Sequence, residues 1–252
     1  MNIKWDAEKY TSDFSFVHQY GNSVIDLIEA EKNSFVLDLG CGNGALTKAL
    51  YEKGYRVMGM DASEELLELA RKNYSSIEFV HGDAVNFTLS EPVDVVFSNA
   101  VFHWIDKERQ PDMLKCVYNV LKKGGQFVFE FGGHGNNQRI LSALAKIFAE
   151  YGYRYKMSFY FPTISEYATL LEETGFRAKY AVLFDRPTEL KGENGLRDWI
   201  NMFVKTPFSV IKTEEEKKMI IDKTVDVLRD DLYIDGKWYA DYVRIRMKAI
   251  RL

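Results

Sequence analysis

The sequence predicts an α/β fold built on a parallel sheet, and two features of the chain carry that prediction. Between residues 35 and 131, short apolar runs alternate with amphipathic segments, which is the pattern of strand-helix-strand units. The first apolar run leads directly into a glycine-rich turn, Gly40-Cys-Gly-Asn-Gly44. Open α/β sheets bind their ligands beside such turns, outside the carboxyl ends of the strands. The fold class therefore indicates where a site should lie.

The elements of the first half follow from their periodicity. Apolar runs predict strands at residues 35–39, 55–60, 77–80, 93–98 and 126–131. Apolar residues at helical spacing predict helices at 45–53, 64–73 and 106–122. Ser63 is a predicted N-cap, because its hydroxyl can accept a hydrogen bond from a free amide of the first helical turn. Gly124 and Gly125 are expected to end the third helix in the left-handed conformation.

The second half of the chain is less regular. A loop at 132–136 precedes a predicted helix that runs to about residue 150, and the tyrosine-rich segment 151–161 is expected to be a lid or an insertion. Helices are predicted at 165–174, 196–204 and 214–229, and strands at 178–184 and 239–250. Residues 5–30 are expected to be helical and to cover the sheet edge. We therefore expect a single domain over residues 1–252, with its core at 30–185 and helical cap elements within 1–30 and 136–230.

Composition and charge narrow the classes of partner. The 252 residues are 46% hydrophobic and 28% charged, with no basic-then-apolar leader, so we expect a soluble cytoplasmic enzyme without membrane contact, monomeric or homodimeric. The formal charge of −4 gives no overall attraction to phosphate backbones, so nucleic acid is not an expected partner. The two cysteines and four histidines show no metal-ligand spacing, which predicts reduced thiols and no metal.

The residue before the glycine turn indicates what kind of ligand the turn binds. The spacing G-x-G-x-G differs from the G-x-G-x-x-G of dinucleotide-binding turns and lacks the Gly-Lys-Ser/Thr ending of a phosphate loop. Asp38 lies just before the turn, where its carboxylate would repel a pyrophosphate but attract a cationic ammonium, directly or through water. S-adenosylmethionine (SAM) carries such an ammonium and no phosphate. The turn therefore favours SAM over a dinucleotide.

Two further acids follow the next two predicted strands. Asp61 can accept two hydrogen bonds from ribose hydroxyls, and Asp83 can accept one from the exocyclic amine of adenine. Taken alone, Asp61 has an ordinary interpretation as part of a helix N-cap region, and Asp83 as a turn residue. Their joint placement with Asp38, after strands one, two and three, favours a nucleoside-binding site.

Four motifs give the chain a family resemblance. Leu37-Asp-Leu-Gly-Cys-Gly-Asn-Gly44, Gly59-Met-Asp-Ala-Ser63, Gly82-Asp-Ala84 and Leu121-Lys-Lys-Gly-Gly-Gln126 resemble the class I SAM-dependent methyltransferases. Within that family the chain is similar to the trans-aconitate methyltransferase-like branch, through Phe97-Ser-Asn-Ala-Val-Phe-His-Trp-Ile105, Trp5 with Tyr10, and Asp198-Trp199-Ile200. The resemblance implies a Rossmann-like doubly wound sheet of seven strands, mostly parallel with the last strand antiparallel, under an N-terminal helical cover and a helical cap.

The same resemblance implies SAM as cofactor, S-adenosylhomocysteine (SAH) as product, and a set of cofactor contacts. The methionine part would lie against Asp38, Gly40, Cys41 and Gly42, the ribose against Asp61 and Ala62, and the adenine against Asp83 and Ala84. Asn99 and Ala100 would close the floor of the pocket, and Tyr10 and Gln19 would cover the cofactor from above.

The acceptor side has one candidate base and a few candidate substrate contacts. A carboxylate acceptor needs no base, whereas an amine, a phenol or a carbon acid must lose a proton, and His103 is the best-placed group to take it. Trp104 would be a pocket wall. Arg244 and Arg246 alternate on one face of the last strand and would bind an acidic acceptor. The competing interpretations are a packed helix-start residue for His103 and solvated surface for the arginines.

Three hypotheses about function stay open on the sequence alone. The first is SAM-dependent methyl transfer to a small molecule, with a trans-aconitate-like carboxylate as the leading acceptor. The second is C- or O-methylation of a quinone-like or other aromatic metabolite, consistent with an aromatic content of 14%. The third is a SAM-binding protein without turnover. Methylation of a flipped nucleobase is disfavoured, because Ser98-Asn-Ala-Val101 stands where such enzymes carry Asn/Asp-Pro-Pro-Tyr/Phe.

Overall fold

The computed structural model describes the backbone of residues 16–252 and the side chains from residue 20 onward. Its sheet has the order β3-β2-β1-β4-β5-β8-β6, with a short strand β7 paired to β8. Strands β1 to β5 are parallel, and β8 runs antiparallel between β5 and β6. This confirms the predicted fold class. The strands are β1 Phe35–Leu39, β2 Arg56–Asp61, β3 Glu78–His81, β4 Val93–Asn99, β5 Leu121–Gly132, β6 Phe176–Leu190, β7 Tyr233–Ile234 and β8 Lys237–Arg251.

Helices cover both faces of the sheet and one end of it. They are α1 Phe16–Ile25, α2 Ala45–Glu52, α3 Glu64–Asn73, α4 Gln110–Val120, α5 Gln138–Glu150, α6 Ile164–Thr174, α7 Gly195–Phe203, α8 Lys205–Phe208 and α9 Glu214–Leu232. Two short 3-10 helices, Phe102–Trp104 and Lys107–Arg109, follow β4. Ser63 caps α3 as predicted, since its hydroxyl accepts a hydrogen bond from the amide of Leu66. Within residues 16–252, no helix has the length and apolarity needed to cross a bilayer.

Side chains along each strand point alternately to the two faces of the sheet, and apolar side chains on both faces produce two apolar layers. Val36 of β1 packs with α1, α2 and α3, whereas its neighbour Leu37 packs on the opposite face with α4 and α6. Val128 and Phe127 of β5 divide in the same way. Successive strand residues point to opposite faces, so a strand covered on both sides must be apolar throughout. This explains why β1 is a continuous buried run.

A third apolar cluster forms the cap. β5 pairs with β8 only from Arg244 to Ile250, so the first residues of β8 pair with β6 beyond the parallel part of the sheet. This two-stranded extension packs against α5, α7 and α9 around the buried rings of Trp199 and Trp238. The indole nitrogen of Trp238 donates to the carbonyl of Glu193 at 2.8 Å. That residues 1–252 form one domain with a core at 30–185 stays a prediction.

The junction between α4 and β5 differs from the prediction. The helix ends at Val120, and Leu121 is already extended and paired with Val93 of β4. The next pair in the register is Val95 with Gln126, so residues 122–125 bulge out of the strand. Gly124 has the predicted left-handed conformation, with φ of 78°, but it lies in this bulge and not at a helix end. Pairing with β4 therefore overrides the local helical periodicity.

Glu130 on β5 is the centre of a buried ion cluster. Its carboxylate accepts hydrogen bonds from Arg186 on β6 and, at 2.7 Å, from Nε of Arg246 on β8. The side chain of Glu130 is 2% exposed, and those of the two arginines are 11% and 12% exposed. Arg246 also donates to the hydroxyl of Ser23 in α1 at 2.7 Å. One carboxylate thus connects three strands and the first described helix.

Removing this carboxylate should destabilise the fold strongly. We expect Glu130→Ala to lower the free energy of unfolding by about 3–5 kcal/mol, because two guanidinium groups would stay buried without a counter-charge. Urea unfolding followed by circular dichroism measures the change. The matched control is Glu189→Ala, which removes a carboxylate from the exposed pair with Lys237 and should change stability little. Equal losses in both variants would contradict the role assigned to the cluster.

Candidate functional site

A cavity of about 530 Å³ opens at the carboxyl ends of the parallel strands. The loops after β1, β2, β3 and β4 form one side of it, and residues of the cap form the other. Ligands bind at this edge in open α/β sheets, because the strands end together there and leave a crevice. The predicted site residues that line it are Gly40, Gly42, Asp61, Ala62, Asp83, Ala84, Asn99, Ala100, His103, Trp104 and Arg244.

The glycine turn is shaped by close backbone packing. The amides of Gly40 and Cys41 both donate to the carbonyl of Met60, at 2.7 and 3.0 Å, which brings the turn against the end of β2. Gly40 has φ of 79°, and a Cβ added there would lie 2.2 Å from Cγ2 of Val101. Both the left-handed conformation and the contact exclude a side chain. The turn therefore presents bare backbone to the cavity.

Asp61 connects the glycine turn to the end of β2. One carboxylate oxygen accepts the amide of Gly42 at 2.8 Å, and the other accepts the amide of Ser63 at 2.8 Å. Burial raises the pKa of Asp61, while these amide hydrogen bonds act in the opposite direction. The carboxylate is thereby held in one orientation on the cavity wall.

Asp38, just before the glycine turn, and Cys41, within it, are both buried, and neither is among the residues that line the cavity. Asp38 is 2% exposed and accepts a hydrogen bond of 2.6 Å from the hydroxyl of Thr47 in α2. Burial raises the pKa of Asp38 to about 7. The sequence predicted that Asp38 contacts a cofactor ammonium, directly or through water. In this structure the side chain turns toward α2, and the contact stays a prediction.

The residues predicted to contact the adenine and to close the pocket floor line the cavity, and their roles stay predictions. Asp83 is on the exposed rim, where its carboxylate accepts the amide of Val85 at 3.1 Å. Ala100 has φ of 62°, unusual for a residue with a side chain, and its amide donates to the carbonyl of Glu130 at 2.7 Å. Strained backbone of this kind is common at functional sites.

His103 is buried at the opposite end of the cavity. Its Nδ1 accepts a hydrogen bond from the amide of Gly132 at 3.3 Å. Burial, and to a smaller degree the charge of Arg244, lower the pKa of His103 well below its usual value. Trp104 lies beside it, with ring centroids 5.2 Å apart, and also contacts Phe159. The predicted base is therefore held in its neutral form within an aromatic wall.

The two predicted arginines have different environments. Arg244 is opposite Gly132 in the register of β8 and β5, and it lines the cavity. Arg246 is opposite Glu130, belongs to the ion cluster and does not line the cavity. Of the predicted cofactor cover, Tyr10 lies outside the described residues. Gln19 lies in α1, but its side chain is outside the described part.

Several residues on the cap side of the cavity were not predicted as site residues from the sequence. Asn137 is 3% exposed, and its Oδ1 is buried without a hydrogen-bond partner among the described residues. The indole nitrogen of Trp199 donates to the hydroxyl of Tyr242 at 2.7 Å. The only sequence signals for these positions were the loop at 132–136, the tyrosine-rich segment and the segment around Trp199. The additional lining residues of the cap are Asn136, Asn137, Phe159, Phe161, Trp199, Phe203 and Tyr242.

The fold and the acids at the strand ends define a class of protein, the SAM-dependent methyltransferases. Residues 36–125 match the family model described as "Methyltransferase domain". An uncharacterized methyltransferase of Schizosaccharomyces pombe is 32% identical over 257 aligned positions, which cover 97% of each chain. The chain therefore belongs to the methyltransferase family and is a class I SAM-dependent methyltransferase.

Other proteins share less sequence with this chain, and the solved structures among them are similar in fold. A malonyl-[acyl-carrier protein] O-methyltransferase of Hamiltonella defensa is 28% identical over 142 positions, covering 56% of this chain and 54% of that protein. A candidate methyltransferase of Bacillus halodurans has a similar solved structure, with 20% identity and a TM-score of 0.63 over 91% of this chain and 97% of that one. A phosphoethanolamine N-methyltransferase of Haemonchus contortus, solved with phosphomonomethylethanolamine and SAH, is 17% identical, with a TM-score of 0.56 over 92% of this chain and 52% of that one.

Because the pKa of Asp38 is raised, we expect the stability of the fold to fall as pH rises. The unfolded carboxyl loses its proton near pH 3.8, whereas the native one keeps it to about pH 7. Between these values the unfolded state binds fewer protons, so the contribution of Asp38 should fall by at most about 1.4 kcal/mol per pH unit as pH rises. We therefore compare the free energy of unfolding of Asp38→Asn with that of wild type, both without SAM. The variant should become more stable relative to wild type as pH rises from 3.8 to about 7.

A second variant tests the cause of this effect. Thr47→Val removes the hydrogen bond that favours the charged carboxylate, so the pKa of Asp38 should rise further and the fall in stability should extend above pH 7. A difference between Asp38→Asn and wild type that does not vary with pH would contradict the assignment.

Proposed function

We propose that the cavity binds SAM with its ribose on Asp61, its methionine part against Gly40 and Gly42, and its adenine near Asp83 and Ala84. The observation that carries the proposal is the orientation of the Asp61 carboxylate, held by two backbone amides at the wall of the cavity. An acid in this place suits ribose hydroxyls, because a carboxylate can accept hydrogen bonds from both of them. The bare backbone at Gly40 also fits, because a Cβ there would collide with Val101.

We further propose that the methyl acceptor is a small molecule with a carboxylate group. Arg244 lies at the acceptor end among aromatic side chains, and a guanidinium is well suited to a carboxylate. The name of the malonyl-carrier O-methyltransferase relative describes transfer to a malonyl group, which agrees with a carboxyl oxygen as nucleophile. Membership of the trans-aconitate-like branch belongs to this proposal and rests on the segment Phe97–Ile105.

The residues of the chain then act mainly by orientation. When bound, SAM supplies an electrophilic methyl group on a sulfonium, which is a good leaving group. The glycine turn and Asp61 would fix the cofactor, and Arg244 would direct the carboxylate so that its oxygen approaches in line behind the methyl group. Trp104, Phe159 and Phe203 would exclude water from this region. A carboxylate is already ionised at neutral pH, so no proton has to be removed.

The two alternative functions, C- or O-methylation of an aromatic metabolite and SAM binding without turnover, have less support. Methylation of a phenol or a carbon acid requires a base, and the neutral, hydrogen-bonded His103 is poorly suited to that task. A protein that binds SAM without turnover is a different class from the methyltransferases to which the chain is related.

Cofactor binding tests the first part of the proposal. Asp61→Ala should weaken SAM binding by about 1–3 kcal/mol, or roughly 5- to 150-fold, because charge-assisted ribose hydrogen bonds are lost. Isothermal titration calorimetry with SAM and SAH measures this. Asp185→Ala is the matched control, because Asp185 is exposed and does not line the cavity. An unchanged dissociation constant in Asp61→Ala would remove the ribose assignment.

Methyl transfer to a panel of acceptors tests the second part. With methyl-labelled SAM, we expect label in trans-aconitate or in other di- and tricarboxylic or aromatic acids, and release of the label as methanol in alkali, as an ester requires. Arg244→Gln should abolish most of this transfer while SAM binding stays intact. The control is Arg154→Gln, at an exposed arginine that does not line the cavity. Label found only in phenols or quinols, stable in alkali, would refute a carboxylate acceptor.

A further inference from the structure

We infer that His103 and Arg244 form an anion-binding subsite in which His103 donates a hydrogen bond from Nε2 to an oxygen of the acceptor and does not act as a base. This inference rests on the proposed function, because it assigns a role to one wall of the same cavity. It makes His103 a substrate-binding residue, in contrast to the base that the sequence predicted.

The position of the ring proton follows from one hydrogen bond. The amide of Gly132 is a donor and has no acceptor capacity, so the Nδ1 that it contacts at 3.3 Å must carry the lone pair. A neutral imidazole has one N–H, which therefore lies on Nε2. Gly132 is the last residue of β5, and its place in the sheet fixes the amide. The tautomer of His103 is thus determined by backbone geometry.

The charge state of His103 is determined by its surroundings. The residue is 8% exposed and packs against the rings of Trp104, Phe159 and Phe161. Burial and the nearby guanidinium of Arg244 both disfavour the imidazolium form, and they are the two causes of its lowered pKa. Taking a proton would break the bond to Gly132 and place a second positive charge beside Arg244.

The remaining polar edge of the ring is available to a ligand. His103 lines the cavity together with Arg244, and no hydrogen bond joins Nε2 to another described residue. An N–H donor beside a guanidinium, within an aromatic wall, favours an anionic oxygen such as that of a carboxylate. The acceptor must then arrive already ionised, because the subsite supplies donors and a positive charge.

Nuclear magnetic resonance can test the tautomer without any acceptor. In SAH-loaded protein with 15N-labelled histidine, long-range proton-nitrogen correlations distinguish a protonated from an unprotonated ring nitrogen, and the spectrum of His103→Gln assigns the His103 signals. We expect Nδ1 unprotonated and Nε2 protonated from about pH 8 to about pH 5.5. A proton on Nδ1, or titration near the usual histidine value, would overturn the inference. This readout is independent of whether the proposed acceptor is correct.

Two substitutions test the role in turnover, with the carboxylic acid from the panel that accepts most label. The amide of His103→Gln can place a donor near the position of Nε2, whereas His103→Asn reaches only the position of Nδ1. We expect the Gln variant to have a higher kcat/KM than the Asn variant by about 10- to 100-fold, with SAM affinity unchanged in both. Equal loss in both variants, with a wild-type kcat that rises through one histidine ionisation, would identify a base and refute the inference.

If no acid in the panel accepts label but the spectra show the expected tautomer, the proposed acceptor fails and the donor assignment stands. If the acids accept label and His103 carries its proton on Nδ1, the proposed function stands and the subsite assignment fails. The proposed carboxylate acceptor and the proposed hydrogen bond from His103 are thereby tested separately.

Discussion

The antiparallel insertion of β8 between β5 and β6 is the constraint on which the proposed acceptor end of the cavity depends. Because β8 runs opposite to β5, its first half lies at the edge where the parallel strands end. Arg244 is therefore opposite Gly132 and lines the cavity, whereas Arg246, two residues later, is opposite Glu130 and joins the buried ion cluster. Side chains on one face of one strand thus supply a cation to the cavity and another to the core.

The same strand also brings the cap to the cavity. Residues of β8 before Arg244 pair with β6 beyond the parallel strands and pack with α5, α7 and α9. Trp199 from α7 and Tyr242 from β8 are joined by a hydrogen bond and line the cavity together. The proposed cofactor end of the cavity is built from strand ends, while the proposed acceptor end is built largely from the cap. The two ends therefore have different chemistry, with carboxylates at one and aromatic rings with a guanidinium at the other.

Burial shifts the pKa values of titratable groups at both ends of the cavity in the direction that favours their uncharged forms. It raises the pKa of Asp38 and of Asp61 and lowers that of His103. Arg244 lines the same cavity and carries a guanidinium group. The proposed anionic acceptor would interact with this arginine in a region where electrostatic interactions are stronger than in water. This is the physical link between the shape of the cavity and the proposed class of substrate.

The sequence by itself determined the parallel half of the fold and the edge of the sheet at which the cavity opens. β1 and α3 have the bounds predicted from apolar periodicity and the Ser63 cap, and Gly40 and Asp61 lie at the cavity as expected, because these features depend on neighbours in the chain. Tertiary structure alone decided that Asp38 turns toward Thr47, that β5 begins at Leu121 and that Arg244 and Arg246 have different roles. It also decided the tautomer of His103, since the donor, Gly132, is 29 residues away in the chain. Each of these outcomes depends on a contact between distant segments, which periodicity and spacing do not encode.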